Sequence, residues 1–502
     1  MVSNRKAGGQ KTVLALDQGT TGSTAMIVAE DGRILAKAYR EFTQHFPKPG
    51  WVEHDAEEIW DVTRGAAREA LETSGARPEA VGITNQRETV VAWDRETGKP
   101  LHRALVWQDR RTATRCRQLA REKGLPFLAD RTGLVWDPYF SGSKIEWLLD
   151  HVPGLRERAS DGKVFFGTID SWLVYCLTGG RDFVTDHTNA SRTMLYNIRL
   201  KAWDPELLGL FGVPEASLPK VCHSSEVVGI VDGNHFGFEI PISGIAGDQQ
   251  AALFGQACWS PGEAKSTYGT GAFLLMNVGP DYRPMGDARG LLTTIACTAT
   301  GAPTLALEGS IFIAGAAVQW LRDGLRIIEH ASETDELARS VADNGGVYFV
   351  PALVGLGAPH WEPGARGTIV GLTRGTSRAH IARAALESMA YGTRDVAHTM
   401  SSVSRVPLQV MKADGGATTN DWFMQFLADV LRVRVARPDV IETTALGAAG
   451  LAGLATGVWK TPDDFSASRT YQTFEAQSDR EDDYKGWRRA VDTALHWVKS
   501  TG

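Results

Sequence analysis

Three short apolar segments of the chain each end in a loop that combines glycine with threonine or aspartate. The segments and their loops are Thr12–Leu16 before Asp17-Gln18-Gly19-Thr20-Thr21-Gly22, Ala264–Tyr268 before Gly269-Thr270-Gly271, and Leu408–Ala413 before Asp414-Gly415-Gly416-Ala417-Thr418. Short apolar runs of this kind are typical of buried strands. The first two loops open the two halves of the chain, about 250 residues apart. This spacing predicts two lobes of similar plan, joined near residues 255–263.

The segments after the first loop indicate the fold class. Thr24–Ala29 and Ile34–Tyr39 are strand-like and are joined by the turn Asp31-Gly32, so the chain is expected to start with antiparallel strands. Val81–Thr84 is again strand-like, and strands continue to alternate with helical segments. This alternation predicts an α/β fold.

Two helices are predicted from local signals. Asp55 and Glu58 form the Asp-x-x-Glu pattern that opens a helix, here expected through about Ser74. His54 is assigned to this helix start rather than to a metal site or a proton relay. Near the C-terminus, apolar residues recur at helical spacing and predict an amphipathic final helix: Trp487, Val491, Ala494, Leu495 and Val498.

Composition excludes several classes of function. The chain has 502 residues, of which 43% are apolar and 22% charged, so it is typical of a globular protein. Its net charge of −6 argues against nucleic-acid binding, which usually requires a basic surface. The five cysteines include no C-x-x-C pair, which favours a reducing compartment, the cytoplasm, and gives no metal-ligand pattern.

Neither a secretory signal nor a stable membrane insertion is expected. Met1–Gln10 is polar and lacks the apolar core of a signal peptide. Two long uncharged stretches, Leu291–Leu307 and Thr443–Trp459, are rich in glycine, threonine or alanine. At 17 residues each, they are at or below the length that spans a bilayer.

The familiar nucleotide and hydrolase motifs are absent from the sequence, which leaves the glycine loops as the main chemical signal. There is no G-x-x-x-x-G-K-[ST], H-E-x-x-H or G-x-S-x-G, and the G-x-G at Gly355-Leu356-Gly357 lacks its third glycine. Glycine lets backbone N–H groups approach a phosphate, and threonine hydroxyls add donors. An aspartate at a strand end can hold Mg²⁺ through water. Each loop alone could be an ordinary turn, but three of them at strand ends favour a phosphate clamp between the lobes.

Longer motifs resemble those of glycerol kinases, within the FGGY family of carbohydrate kinases. The matching segments are Asp17–Thr21, Ile83–Thr89, Val106–Gln108, Asp137–Gly142, Gly247–Gln250 and Thr267–Gly271. Two wider signatures of the family also match, one from Tyr139 through Lys144 to His151 and one from Gly367 to Glu387. The resemblance covers roughly residues 11–460.

This resemblance implies a fold and an activity. The fold would be α/β, with two ribonuclease-H-like domains of the actin, hexokinase and Hsp70 type flanking a central cleft. The implied ranges are 11–255 for the glycerol side with the first phosphate loop, 263–460 for the nucleotide side, and 461–502 for a helical tail. The implied reaction is transfer of the γ-phosphate of ATP to glycerol, which gives sn-glycerol 3-phosphate and ADP.

The resemblance also implies roles for single residues on the glycerol side. Asp248 would be the general base, and Arg87 and Glu88 would bind the glycerol hydroxyls, since a polyol needs both donors and acceptors. The remaining glycerol contacts implied are Tyr139 through its hydroxyl, Gln249, and the apolar wall of Trp107 and Phe273. Each role has an alternative. Asp248 could be a loop aspartate hydrogen-bonded to the backbone, Arg87 and Glu88 could form a surface ion pair, and the aromatic residues could simply pack in the core.

On the nucleotide side, the resemblance assigns Mg²⁺ and phosphate contacts. Asp17 would hold Mg²⁺ through water. The residues implied for ATP binding are Thr20, Thr21, Gly22 and Thr270 at the phosphates, and Gly315, Gln319, Gly416 and Asn420 towards the nucleoside.

The sequence departs from the family at two points near the nucleotide. Gly22-Ser23-Thr24 stands where Ser-Ser-Arg is usual, so a hydroxyl and a cation are expected to be missing near the phosphates. Thr418 and Thr419 stand where small apolar residues are common, which predicts a more polar adenosine pocket.

A third departure lies in Val231–Ile240. Kinases of this type that fructose-1,6-bisphosphate inhibits carry Gly-Gly-Lys-Gly-Gly-Thr-Arg here, whereas this chain has Asp232 and Glu239 and no lysine or arginine between 221 and 264. Like charges oppose a bisphosphate, so no inhibition at millimolar levels is expected. His235-Phe236 resembles the site that a phosphocarrier protein phosphorylates in other members, but an exposed loop histidine without a role is the preferred interpretation.

Two other functions stay open. One is a kinase of the same fold that acts on another polyol or sugar, and the other is an actin- or Hsp70-like ATPase that moves a partner protein. Related kinases form dimers or tetramers, so the resemblance also implies a homo-oligomer.

Overall fold

The computed structural model of the chain describes residues 10–281, 290–467 and 469–500, which divide into two compact units. The first unit comprises the chain up to Trp259 together with Thr293–Leu305 and Glu442–Arg469. The second comprises Ser260–Leu292, Ala306–Ile441 and the chain from Thr470 on. The predicted consecutive ranges 11–255, 263–460 and 461–502 therefore differ from the compact units, because later parts of the chain return to complete the first one.

Twenty-four strands and sixteen α-helices are assigned within the described residues. The strands are β1 (Thr12–Gln18), β2 (Gly22–Ala29), β3 (Ile34–Glu41), β4 (Gln44–His45), β5 (Glu53–His54), β6 (Ala80–Asn85), β7 (Val90–Asp94), β8 (Ala104–Leu105), β9 (Val164–Thr168), β10 (Val184–Asp186), β11 (Tyr196–Asn197), β12 (Ala202–Trp203), β13 (Lys220–Cys222), β14 (Ser225–Val231), β15 (Ile240–Gly247), β16 (Glu263–Tyr268), β17 (Ala272–Gly279), β18 (Leu292–Cys297), β19 (Pro303–Ile311), β20 (Tyr348–Val350), β21 (Thr368–Val370), β22 (Val410–Asp414), β23 (Arg434–Pro438) and β24 (Tyr471–Phe474). The helices are α1 (Ala56–Ser74), α2 (Ala113–Thr132), α3 (Ser141–His151), α4 (Leu155–Ser160), α5 (Ile169–Leu177), α6 (His187–Ala190), α7 (Pro205–Phe211), α8 (Gly233–Phe236), α9 (Asp248–Gly255), α10 (Gly315–Asp323), α11 (Glu333–Arg339), α12 (Arg378–Ser404), α13 (Asp421–Leu431), α14 (Thr443–Thr456), α15 (Pro462–Ala467) and α16 (Glu481–Ser500).

The main sheet of the first unit has the strand order β14-β15-β6-β1-β2-β3. The chain starts antiparallel, as predicted, since β2 pairs antiparallel with both β1 and β3. By contrast, β1, β6 and β15 run parallel to one another. Their carboxyl ends therefore meet at one edge of the sheet, which is where ligands bind in open α/β folds.

Helices cover both faces of this sheet. On one side, α1 begins at Asp55, whose carboxylate accepts from the backbone N–H groups of Glu57 and Glu58. The predicted capping box is only half formed, because the Glu58 carboxylate accepts from Thr43 instead. On the other side, α14 packs so closely that a Cβ on Gly82 would lie 2.1 Å from the carbonyl oxygen of Ala448. A glycine is therefore required at position 82.

The second unit repeats this plan. Its strands β19, β17, β16, β22, β23 and β24 are neighbours in that order. The β16–β17 pair is antiparallel, while β16, β22 and β23 run parallel. The same succession of an antiparallel hairpin followed by parallel strands occurs in the first unit, which confirms the prediction of two lobes of similar plan.

The final helix, α16, is anchored on the second unit through its apolar face. Trp487, Val491 and Ala494 are buried, which confirms the predicted amphipathic pattern. The indole nitrogen of Trp487 also donates to the Asp395 carboxylate at 2.7 Å. Among the residues described, no helix has the length and apolar character needed to span a bilayer.

Candidate active site

Asp248 occupies the carboxyl end of a central strand of the first unit. It follows β15 directly and is the first residue of α9. Its Oδ1 accepts from the backbone N–H of Gln249 at 2.6 Å and lies 3.2 Å from Nε of Arg87. The side chain nevertheless remains 35% exposed, so a substrate hydroxyl can reach it.

Arg87 and Glu88 follow the neighbouring strand β6 and are almost completely buried. Arg87 Nε lies 3.5 Å from Oε1 of Glu88, and its other nitrogens donate to Gln250 and to the Tyr139 hydroxyl, at 3.3 and 3.1 Å. Burial of this pair argues against the alternative of a surface ion pair.

A second arginine compensates the charge of Glu88. Nε of Arg192, which is fully buried, donates to the Glu88 carboxylate at 2.7 Å. Buried charges persist only where they are paired, so Glu88 is held between two cations. No sequence pattern pointed to Arg192, because it lies about 100 residues away from its partner in a loop of ordinary composition.

Tyr139 and Trp107 connect Arg87 to the first glycine loop, which contains Thr20. Their rings meet edge to face with centroids 5.5 Å apart. The indole nitrogen of Trp107 donates to the Thr20 hydroxyl at 2.9 Å. The structure therefore brings Asp248, Arg87, Glu88, Tyr139, Trp107 and Gln249 into the first unit, whereas Phe273 lies half-buried on β17 of the second.

Asp17 is the next-to-last residue of β1 and lies at the same sheet edge. Within the described part of the chain, its carboxylate forms no hydrogen bond or ion pair. Burial raises its pKa to about 7, the negative charge of Asp248 adds to the rise, and Lys37 opposes it. A carboxyl group in such a site gains most from a bound cation, so the residue fits the magnesium role that the sequence suggested.

His54 is linked through Gln44 to the first glycine loop and does not take part in the helix start. It is fully buried, and its Nε2 lies 2.7 Å from Oε1 of Gln44. Gln44 in turn donates to the Thr20 carbonyl at 3.0 Å. Burial, with a contribution from His45, lowers the pKa of His54 to about 4, so the ring stays neutral. The assignment of His54 to helix capping was wrong, since Asp55 alone is the cap.

The nucleotide residues predicted for the C-terminal half line a single cavity in the second unit. Its volume is about 610 Å³, and five predicted residues lie on its wall: Thr270, Gly315, Gln319, Gly416 and Asn420. The wall also includes Arg322, Asp335 and Arg339, which the sequence did not indicate. The other three predicted phosphate contacts, Thr20, Thr21 and Gly22, belong to the first unit.

The two threonines expected to make the adenosine pocket more polar satisfy their hydroxyls internally. Thr418 is buried and donates to the Gly415 carbonyl at 2.7 Å. Thr419 lines the cavity, but its hydroxyl donates to the Gly416 carbonyl at 2.9 Å. Both hydroxyl protons are used in hydrogen bonds within the loop, so the two threonines add little polarity to the cavity.

Gly22 is packed tightly at the position where the family that the sequence resembles usually has serine. A Cβ at this position would lie 2.6 Å from the Arg40 carbonyl oxygen and 2.6 Å from the Tyr39 hydroxyl. Ser23 points away from the loop and bonds to Thr63 in the core. Tyr39 therefore fills the space that a longer side chain at position 22 would need.

Gly22→Ser is accordingly expected to harm this protein. Overpacking against a backbone carbonyl should cost about 1–3 kcal/mol of unfolding free energy and raise the KM for ATP. Thermal unfolding and steady-state kinetics would measure both effects. Gly209→Ser is the matched control, since a Cβ at Gly209 would meet nothing within 4 Å. Unchanged stability and KM in Gly22→Ser would contradict the prediction.

Comparison with known proteins shows the family of this chain. The models for the N-terminal and C-terminal domains of the FGGY family of carbohydrate kinases match residues 12–255 and 264–456. The chain belongs to this family. Curated relatives of this carbohydrate kinase include glycerol kinase 2 of Thermotoga maritima, 55% identical over 97% of the chain and 100% of the relative. The glycerol kinase of Carboxydothermus hydrogenoformans is 56% identical over 97% of the chain and 99% of the relative.

Solved structures place this carbohydrate kinase in the same fold. The crystal structure of Plasmodium falciparum glycerol kinase with ADP superimposes with a TM-score of 0.93, at 36% identity, and the match covers 97% of this chain and 98% of that one. The xylulose kinase of Rhodospirillum rubrum shares the fold at 24% identity, with a TM-score of 0.87, over 97% of this chain and all of that one. The predicted two-domain α/β fold of the actin and hexokinase type is thereby confirmed.

Proposed function

We propose that this carbohydrate kinase is an ATP:glycerol 3-phosphotransferase. The observation that carries the proposal is the buried cluster at one sheet edge, in which Arg87 contacts Asp248, Glu88 and Tyr139. This cluster offers a base, two charged groups and a hydroxyl within a few ångströms, which matches the donor and acceptor needs of a small polyol. The full-length relatives named glycerol kinases support the same substrate.

In the proposed reaction, Asp248 takes the proton of a terminal glycerol hydroxyl. The oxygen of that hydroxyl bonds to the γ-phosphorus of ATP as the bond between this phosphorus and the bridging oxygen of the β-phosphate breaks. The products are sn-glycerol 3-phosphate and ADP. The N–H groups and hydroxyls of the Thr20 and Thr270 loops would bind the phosphates, since transfer depends mainly on positioning and electrostatics.

Mg²⁺ is proposed as the metal that accompanies ATP. Asp17 would hold it through water, and bound Mg²⁺ would neutralise part of the phosphate charge. From the cysteine composition we also propose a cytoplasmic protein, and from the resemblance a homo-oligomer.

A coupled assay of ADP release tests the proposed function. Turnover should depend on glycerol and exceed that with dihydroxyacetone, erythritol, ribulose or xylulose. ADP release that is indifferent to glycerol and stimulated by a peptide or polymer would favour the ATPase alternative instead. A preference for ribulose or xylulose would identify a sugar kinase of the same fold.

The segment with His235 gives a regulatory prediction. His235 is half-buried in α8, its Nε2 lies 3.0 Å from the Cys176 carbonyl, and its ring packs edge to face on Trp60 at 4.9 Å. Because Nε2 of His235 is hydrogen-bonded to a backbone carbonyl, we expect that a phosphocarrier protein does not phosphorylate His235. Incubation with phosphoenolpyruvate, enzyme I and the phosphocarrier should leave the intact mass unchanged. A gain of one phosphate that is lost in His235→Ala would contradict this.

Arginines from outside this segment lie beside it, which the sequence argument did not foresee. Arg181 pairs with Asp232 at 3.2 Å, and Nε of Arg68 donates to the His235 carbonyl at 2.9 Å. Both guanidinium groups already form an ion pair or a hydrogen bond with Val231–Ile240. The absence of inhibition by fructose-1,6-bisphosphate therefore stays a prediction.

A further inference from the structure

Lys144 is a buried cation in the first turn of α3, with no part in the chemistry described so far. Its side chain is fully buried. Its ammonium group donates to three consecutive backbone carbonyls, those of Pro138 at 2.6 Å, Tyr139 at 2.7 Å and Phe140 at 3.2 Å. The three N–H donors of a lysine are thus matched by three acceptors from one short segment.

This placement is energetically unfavourable in itself. An ammonium loses its hydration on burial, and the N-terminal turn of a helix repels positive charge. Burial lowers the pKa of Lys144 to about 8, although Glu88, Asp109 and Asp137 favour the charged form. A charge kept in such a position must offset its cost through the contacts that it makes, and here these are the carbonyls of residues 138–140.

The segment that Lys144 holds carries the side chain of Tyr139 into the proposed polyol site. The Tyr139 hydroxyl lies 3.1 Å from a guanidinium nitrogen of Arg87, and its ring meets that of Trp107. Asp137 restrains the same segment from its other end, since its Oδ1 accepts from the Tyr139 N–H at 2.9 Å. Tyr139 is therefore fixed at its N–H by Asp137 and at its carbonyl by Lys144.

We propose that Lys144 is a positioning residue for the polyol substrate, which acts by fixing the backbone of residues 138–140 and thereby the Tyr139 hydroxyl. This inference rests on the proposed function, since it gives Tyr139 a contact with the polyol. Neither methionine nor arginine can replace lysine. Methionine has no donor, and the planar guanidinium of arginine cannot converge on three consecutive carbonyls.

Lys144→Met provides the test, because it retains the length and apolar stem of lysine. The KM for glycerol should rise about 10-fold or more, as expected for a small displacement of a substrate-binding group, while the KM for ATP stays within about twofold. Lys144→Arg should not restore the wild-type KM for glycerol. Leu148→Ala, a buried position of the same helix, controls for loss of stability, and Lys163→Met controls for the loss of an exposed lysine. Both controls should keep the wild-type KM for glycerol.

A double-mutant cycle with Tyr139→Phe separates positioning from general support of the fold. If Lys144 acts through the Tyr139 hydroxyl, adding Lys144→Met to Tyr139→Phe should change the KM for glycerol by less than about twofold. Full additivity of the two changes, or equal rises in both KM values, would overturn the inference.

Amide hydrogen exchange keeps the inference testable if the wild type fails to phosphorylate glycerol. That failure would refute the proposed function alone. The N–H groups of Tyr139 and Phe140 should still exchange faster in Lys144→Met than in the wild type or Leu148→Ala. Unchanged protection at these two residues would overturn the positioning role whatever the substrate.

Discussion

Asp248→Asn is expected to lower kcat by about 10²–10⁴-fold, with a much smaller change in the KM for glycerol. The amide has nearly the same shape and can still accept the N–H of Gln249, which contacts Oδ1 at 2.6 Å in the native protein. It can also hydrogen-bond a glycerol hydroxyl, but it cannot take up the proton that the hydroxyl must lose. Initial rates of ADP release at saturating ATP and varied glycerol would separate the two parameters.

The matched control is Asp161→Asn, at an exposed aspartate paired with Lys163. It removes the same charge from the same unit without touching the sheet edge, so its kinetics should equal those of the wild type. Folding of Asp248→Asn is checked by its thermal unfolding. Wild-type turnover in a correctly folded Asp248→Asn protein would exclude Asp248 as the base.

Truncation of Arg87 or Glu88 to alanine is expected to raise the KM for glycerol about 10–150-fold, since a hydrogen bond to a charged group contributes about 1.5–3 kcal/mol. The two variants should differ in kcat. Arg87 Nε lies 3.2 Å from Asp248, so Arg87→Ala also removes a cation from beside the base. Glu88→Ala should mainly affect binding.

Glu88 needs a second variant because its removal leaves Arg192 buried without that carboxylate. Glu88→Gln keeps the volume and one acceptor, so it should fold more stably than Glu88→Ala and still show a raised KM for glycerol. The KM for ATP should move little in all three proteins. An equal loss for both substrates would identify a structural ion pair in place of a binding pair.

Local patterns in the sequence predicted most of the elements around the candidate site. The strand before Asp17, the hairpin at Asp31-Gly32 and the helix that starts after Asp55 depend on near neighbours in the chain, and all three are present. The loops at Thr270 and Gly416 line the cavity of the second unit, as expected because glycines at strand ends signal a close backbone approach.

The residues that sequence reasoning missed make contacts across long stretches of chain. Arg192 reaches Glu88 over 104 positions, and Gln44 is linked to both Thr20 and His54 through side-chain geometry that no local pattern encodes. The error over His54 has the same origin. Its position next to Asp55 suggested a role at the start of the helix, but its side chain is buried and contacts Gln44 instead. Lys144 was visible within a family signature, but only its three carbonyl contacts reveal a function.

The position of α14 in the first unit affects how the protein is made. This helix covers one face of the first sheet, yet it begins at Thr443, long after β15 ends at Gly247. At a synthesis rate of about 5–20 residues per second, the ribosome needs roughly 10–40 s to add the intervening chain. Throughout that interval the glycine-lined face at Gly82 lacks its cover, so the nascent N-terminal half emerges with an apolar surface that only the segment from Thr443 on can close.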